Sequence, residues 1–136
     1  MRLLEKLRTI QSTSKLTHQP SLEHFQSFVS IANPRFRWYP HCIKIARVLI
    51  RVALGELNRV MIFAPPRHGK SELLSRLFSA YYLSLYPERW AGINSYAAEL
   101  AYTLSRNSRD NYLSSGSVMR ESARAVKHWE TAKGGG

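Results

Sequence analysis

Acidic side chains are scarce in this 136-residue chain: nine Asp and Glu in all, with Asp110 the one aspartate. No apolar run is followed by Asp-Asp or Asp-Glu. That inventory excludes a nuclease-type cluster of carboxylates gathering two metal ions, and it lacks the strand-end acid that phosphoryl-transfer enzymes use to hold Mg²⁺. Cysteine is rarer still. Cys42 stands alone, which rules out an internal disulfide and fits a reducing compartment. Long hydrophobic runs are missing too: the longest, 48–54, is broken by Arg51 and falls well short of a membrane span. The first ten residues mix charge with leucine and have no signal-peptide core. A cytoplasmic setting is the expectation.

What the chain has in excess is positive charge. Twenty Lys and Arg against nine acids give a formal net charge of +11, a balance that favours polyanions such as nucleic acid, nucleotide phosphates or an anionic membrane. The basic residues are spread from Arg2 to Lys133, so they decorate a surface and form no tail. A merely basic soluble domain is the plain alternative. With 44% hydrophobic residues the composition is that of a globular protein.

Leu3, Leu4, Leu7 and Ile10 recur at helical spacing, and the polar stretch 11–19 reads as a linker. A second helical pattern opens at Pro20-Ser21-Leu22-Glu23 and carries Leu22, Phe25, Phe28, Val29 and Ala32 on one side. Asn33-Pro34 ends it, because the residue before proline is pushed out of the helical region. Arg35 to His41 is a loop of aromatic and basic residues, and Pro40 suits the first turn of a third helix. That helix should bury Ile43, Ala46, Leu49, Ile50 and Ala53, with Gly55 past its end. Residues 59–64 form a short apolar run with the pattern of a buried strand. A helix is then expected from Ser71 to about Tyr86, a second short strand over 91–95, and an alanine-rich helix from Ala97 to about Leu113. Ser114 to Ser117 is a turn, and the stretch beyond it is mixed. Strand, loop, helix, strand, helix is the opening of an α/β domain with a parallel sheet and right-handed crossovers.

Between the first strand and its helix lies Ala64-Pro65-Pro66-Arg67-His68-Gly69-Lys70-Ser71, the G-x-x-x-x-G-K-[ST] pattern of a phosphate-binding P-loop with alanine in the first glycine position. Such a loop turns backbone N–H groups inward around a phosphate chain, and the following helix adds its positive end. Gly69 lets the backbone approach closely, Lys70 sets an ammonium against the β/γ-phosphates, and the Ser71 hydroxyl can ligand Mg²⁺. Alanine at position 64 is harmless at a strand end unless that residue needs a positive φ. Arg67 either reaches the γ-phosphate to stabilise transferring charge or is solvated; His68 reads as a solvated loop side chain. The pattern points to ATP with Mg²⁺ as ligand.

Trp-Tyr-Pro-His at 38–41, then GELNRVMIFAPPRHGKSELLSRLF (55–78) and SYAAELAYTLSRNSRD (95–110), closely resemble the phage terminase large subunit family, from roughly residue 36 onward. The resemblance implies a RecA/ASCE-like P-loop ATPase that drives double-stranded DNA into a procapsid in the bacterial host cytoplasm. It also implies a following nuclease and partners in the portal protein, the small terminase subunit and other copies in a ring. It gives Lys70 and Ser71 the phosphate and Mg²⁺ roles and matches Arg67 to the family's Walker A arginine. It sets Tyr39 and His41 near the adenine base, where the aromatic ring stacks and His41 bonds an edge; the alternative is that these aromatics seal a helix–sheet junction. Ser95-Tyr96 falls at a strand's carboxyl end, the usual place for ligand contacts. Arg106 and Arg109 share a helix face that either touches DNA or a neighbouring subunit or is simply solvated.

The expected organisation is a helical segment over 1–57 and a truncated P-loop ATPase core over 58–136. In the family, a Trp-x-Thr…Gly-Gly stretch like Trp129, Thr131, Gly134 and Gly135 precedes the Walker B strand, so the chain reads as a fragment. A trailing glycine linker is the competing reading of 134–136. The expectation is nucleotide binding without hydrolysis. Two other readings stay open: a small kinase-type P-loop enzyme, and a basic nucleic-acid-binding module.

Overall fold

The structure is a computed structural model that describes residues 19–125 and 128–136. The helix expected over 3–10, and the linker after it up to residue 18, lie outside the described residues.

The first helix, α1, spans Leu22–Ala32 and starts where Ser21 accepts the His24 N–H at 3.1 Å, satisfying one of the free amides of the first turn. It stops at Asn33, ahead of Pro34, and buries Phe25, Phe28 and Val29. Helix α2, Pro40–Ala53, opens with proline at its first position and buries Cys42, Ala46, Leu49, Ile50 and Ala53. Gly55, at φ 78°, takes the left-handed turn that ends it. Cys42 takes the buried place expected of Ile43, which is half-buried.

After the loop at 64–69, a continuous helical stretch runs to Leu85 in two parts: a π-helical segment Glu72–Phe78, then α3, Ser79–Leu85. The wider turn is visible in the Ser79 N–H, which reaches back five residues to the Leu74 carbonyl. Helix α3 is capped by Tyr86, the residue at which the helix was expected to end, and Pro87 follows. Helix α4, Ala98–Ser114, lies against this stretch; Ser79 and Ser108 share a hydroxyl hydrogen bond of 2.7 Å, and Asn111 donates to the Arg76 carbonyl.

Strands β1, Met119–Arg124, and β2, Trp129–Thr131, form an antiparallel pair from the stretch that the sequence left unassigned. Residues 59–65 and 91–95 carry no regular secondary structure and belong to no ladder among the described residues. The buried-strand reading of 59–64 needs correcting. Ile62 packs on the core, but Met61 and Phe63 are 81% and 86% exposed. A continuous apolar run buries both faces only when neighbouring strands and a second layer cover it, and none does so among the described residues. The α/β reading with a parallel sheet therefore rests on the sequence. One parallel-type link is present: Gly136 donates to the Arg89 carbonyl (3.0 Å) and accepts from the Ala91 N–H (2.8 Å), straddling Trp90.

One core runs through the molecule. Phe25 is its centre, fully buried against Tyr81 (ring centroids 4.8 Å apart), with Trp38 and Phe78 edge-on at 5.9 Å. Leu73, Leu77 and Ala80 join it to α2, and Tyr112 and Trp129 extend it to the β pair. No helix among the described residues is long and apolar enough to cross a membrane.

Candidate phosphate-binding site

The loop at 64–69 enters the helical stretch through two residues in the left-handed region, Arg67 at φ 61° and Gly69 at φ 76°. Gly69 adopts that conformation without penalty, whereas Arg67 carries a Cβ and costs about 1–2 kcal/mol there. Leu73 N–H already bonds the Gly69 carbonyl at 2.9 Å, so the helix begins directly at the loop's exit. Its first-turn amides then have no partner inside the helix. Lys70 is half-buried and Ser71 exposed at that mouth, and neither side chain has a hydrogen-bond partner among the described residues.

Two histidines fix the loop. The His68 ring turns back on its own chain and donates from Nδ1 to the Pro66 carbonyl at 2.8 Å. His41, in the first turn of α2, donates from Nε2 to the His68 carbonyl, also at 2.8 Å. Carbonyl oxygens only accept, so both ring nitrogens carry their protons. Tyr39 lies parallel to His41, 5.8 Å away with 5° between planes, and is 52% exposed.

Beside the loop opens a cavity of about 750 Å³, walled by Asn33, Phe36, Cys42 and Glu72 together with Arg35, Arg37, Tyr39, His41, Arg67, His68 and Gly69. It is the largest of the cavities described, the others being near 200 Å³. Arg35, Arg37 and Arg67 on its wall make no ion pair among the described residues, and neither does Lys70. Glu72 is the acid present, and its two oxygens are already occupied by Asn33 (3.1 Å) and Arg76 (2.6 Å). The result is a concave, donor-rich surface with a local excess of positive charge, chemistry that suits a phosphorylated ligand.

Of the expected site residues, the cavity brings together Tyr39, His41, Arg67, His68 and Gly69; Ala64, Pro65, Pro66, Lys70 and Ser71 do not line it and lie along the loop and the helix mouth. Trp38 faces inward on Phe25 and Phe36 and serves the core. No group of three His, Cys, Asp or Glu able to hold a metal occurs among the described residues. Ser71 can give one hydroxyl to Mg²⁺, so the ion fits as one carried in by a triphosphate and largely ligated by phosphate and water. Sequence reasoning missed Arg35 and Arg37 as cavity residues; their place in a basic-aromatic loop just ahead of Tyr39 was the available signal. Ser95 and Tyr96 stand apart from this cavity, with Tyr96 96% exposed.

Compared with family models, curated proteins and solved structures, the chain matches none.

Proposed function

We propose that the chain grips the phosphates of ATP, with its Mg²⁺, through the loop at 64–71, and that it is the nucleotide-holding part of a DNA-packaging motor of the terminase large-subunit type. The observation that carries the first half is the loop itself. A P-loop sequence takes two successive left-handed turns, at Arg67 and Gly69, into a helix start beside four cations without ion-pair partners. Helix-start amides and the Lys70 ammonium take the β/γ-phosphates; Arg67 approaches the terminal phosphate; the outer face of Tyr39 offers a stacking surface for the base. The second half rests on the motif strings around the loop, and the parallel link at Gly136 is consistent with a sheet of that kind. Double-stranded DNA, portal protein, small subunit and further copies in a ring are the partners that go with it, in the bacterial cytoplasm.

Hydrolysis is not part of the proposal. Glu72 is committed to Asn33 and Arg76, and no other acid lines the cavity to orient an attacking water.

Titration with a fluorescent ATP analogue tests this directly. Lys70→Ala should weaken binding at least about tenfold, the loss expected of one charge-assisted phosphate contact. Phosphate release should stay at background in both proteins. Binding that ignores Lys70→Ala would sink the nucleotide reading. DNA binding that falls steeply with salt and is not competed by ATP would favour a basic nucleic-acid module instead.

A further inference from the structure

The geometry points to His41 as the positioning residue of the phosphate loop, acting on its main chain and not on a nucleotide base. This deepens the proposed nucleotide site and rests on it for the ligand. The hydrogen bond from His41 Nε2 to the His68 carbonyl joins residues 27 apart in sequence, and it reaches the peptide between two left-handed residues. Left to itself, a non-glycine residue such as Arg67 favours the right-handed or extended regions. A turn held against that preference needs outside support. Two bonds supply it in series. His68 clips its own side chain to Pro66, and His41 clips His68 to helix α2.

The anchor is rigid. His41 is followed at once by Cys42, 1% exposed, and one turn later by Ala46, fully buried, so the start of α2 is packed into the core. The parallel Tyr39 ring limits how far the imidazole can swing. The Nε2 edge is therefore spent on the loop and is not available to read a base. Losing this donor frees the loop amides to rotate away from a phosphate, which lowers affinity for any polyphosphate whatever base it carries.

The full chain carrying His41→Phe, which keeps the ring and removes the donor, is compared with His41→Gln, whose amide N–H can still reach the carbonyl. Binding of ATP and of inorganic tripolyphosphate is measured by calorimetry, alongside long-range nitrogen–proton spectra of the histidine rings without ligand. His41→Phe should weaken both ligands by a similar factor, about tenfold for one hydrogen bond lost from a preorganised cradle. His41→Gln should restore most of it. The spectra should show His41 protonated at Nε2 and His68 at Nδ1, with the His68 pattern disturbed in His41→Phe. A loss confined to ATP would make His41 a base contact and overturn the proposal. Equal losses in the Gln and Phe variants would overturn the donor role. If the unmodified chain binds neither polyphosphate, the nucleotide site itself falls, and the ring spectra alone decide the clamp. A neutral His41 protonated at Nδ1 alone would refute it.

Discussion

Tyr81 has no exposed surface; its hydroxyl lies 3.1 Å from His24 Nδ1, and its ring is packed, tilted or edge-on, among Phe25, Phe28 and Phe78. Burial pushes its phenol up to about 12 from an ordinary value of 10.0. The folded state thus holds this proton more tightly than the unfolded chain does. The associated stability is intact below pH 10 and drains away as pH rises toward 12, at up to about 1.4 kcal/mol per pH unit. Urea unfolding at pH 9 and 11 should show Tyr81→Phe losing less stability between those two conditions than the unmodified protein; equal losses would contradict the burial argument. Other residues differ in how readable they were. Gly69, Lys70 and Ser71 could be named from spacing alone, because a P-loop is a local pattern. The tie between His41 and His68 could not, since it forms only when α2 is packed beside the loop. Arg35 and Arg37 stood in a basic-aromatic loop that marked them as candidates, but their place on the cavity wall shows only once the loop is folded beside residues 67–69.

Among the elements, helices α1, α2 and α4 were legible because their punctuation is local: Ser21 as cap, Pro40 at a first turn, Gly55 and Gly116 past helix ends with φ 78° and 84°. The π-helical segment was not, since Glu-Leu-Leu-Ser-Arg-Leu-Phe reads as ordinary α-helix and carries no local signal for the wider turn. The β pair was also missed: β2 is three residues long, and the register between the strands is irregular. Its tail is no solvated linker. Thr131, fully buried, hydrogen-bonds the Pro87 carbonyl and accepts from the Gly135 N–H, which itself also bonds the Pro87 carbonyl. A Cβ on Gly135 would stand 2.1 Å from the Arg89 carbonyl oxygen and 2.5 Å from that of Pro87, so backbone would have to move. Gly135→Ala should lower stability by roughly 1–3 kcal/mol, the usual cost of overpacking. Gly92→Ala, where φ is not in the left-handed region and nothing lies within 4 Å, serves as the control. Matched melting temperatures for the two variants would show that the tail is not packed.

At the scale of the whole molecule, helices from both sides of residue 57 share one core, while Met61, Phe63, Trp90 and Tyr96 stay largely uncovered. Exposed apolar side chains of this size invite association between copies. Light scattering should find the chain self-associating as concentration rises, and Phe63→Lys should suppress this; indifference to that change would move the sticky surface elsewhere. Opposing it is the net charge of +11, whose repulsion is strongest at low salt. A seven-residue π segment lies between the loop at 64–69 and α3. Such a segment holds one residue more than an α-helix spanning the same packed ends. Loss of a single codon within it would let the rod rewind as α-helix, with α3 and the core face left where they are. Lys70 and Ser71, at the other packed end, would keep their direction too, whereas the same loss within α3 would turn everything ahead of it by roughly 100° about the axis. A shortening of one residue is therefore tolerated in the π segment and not in the α-helix that follows it.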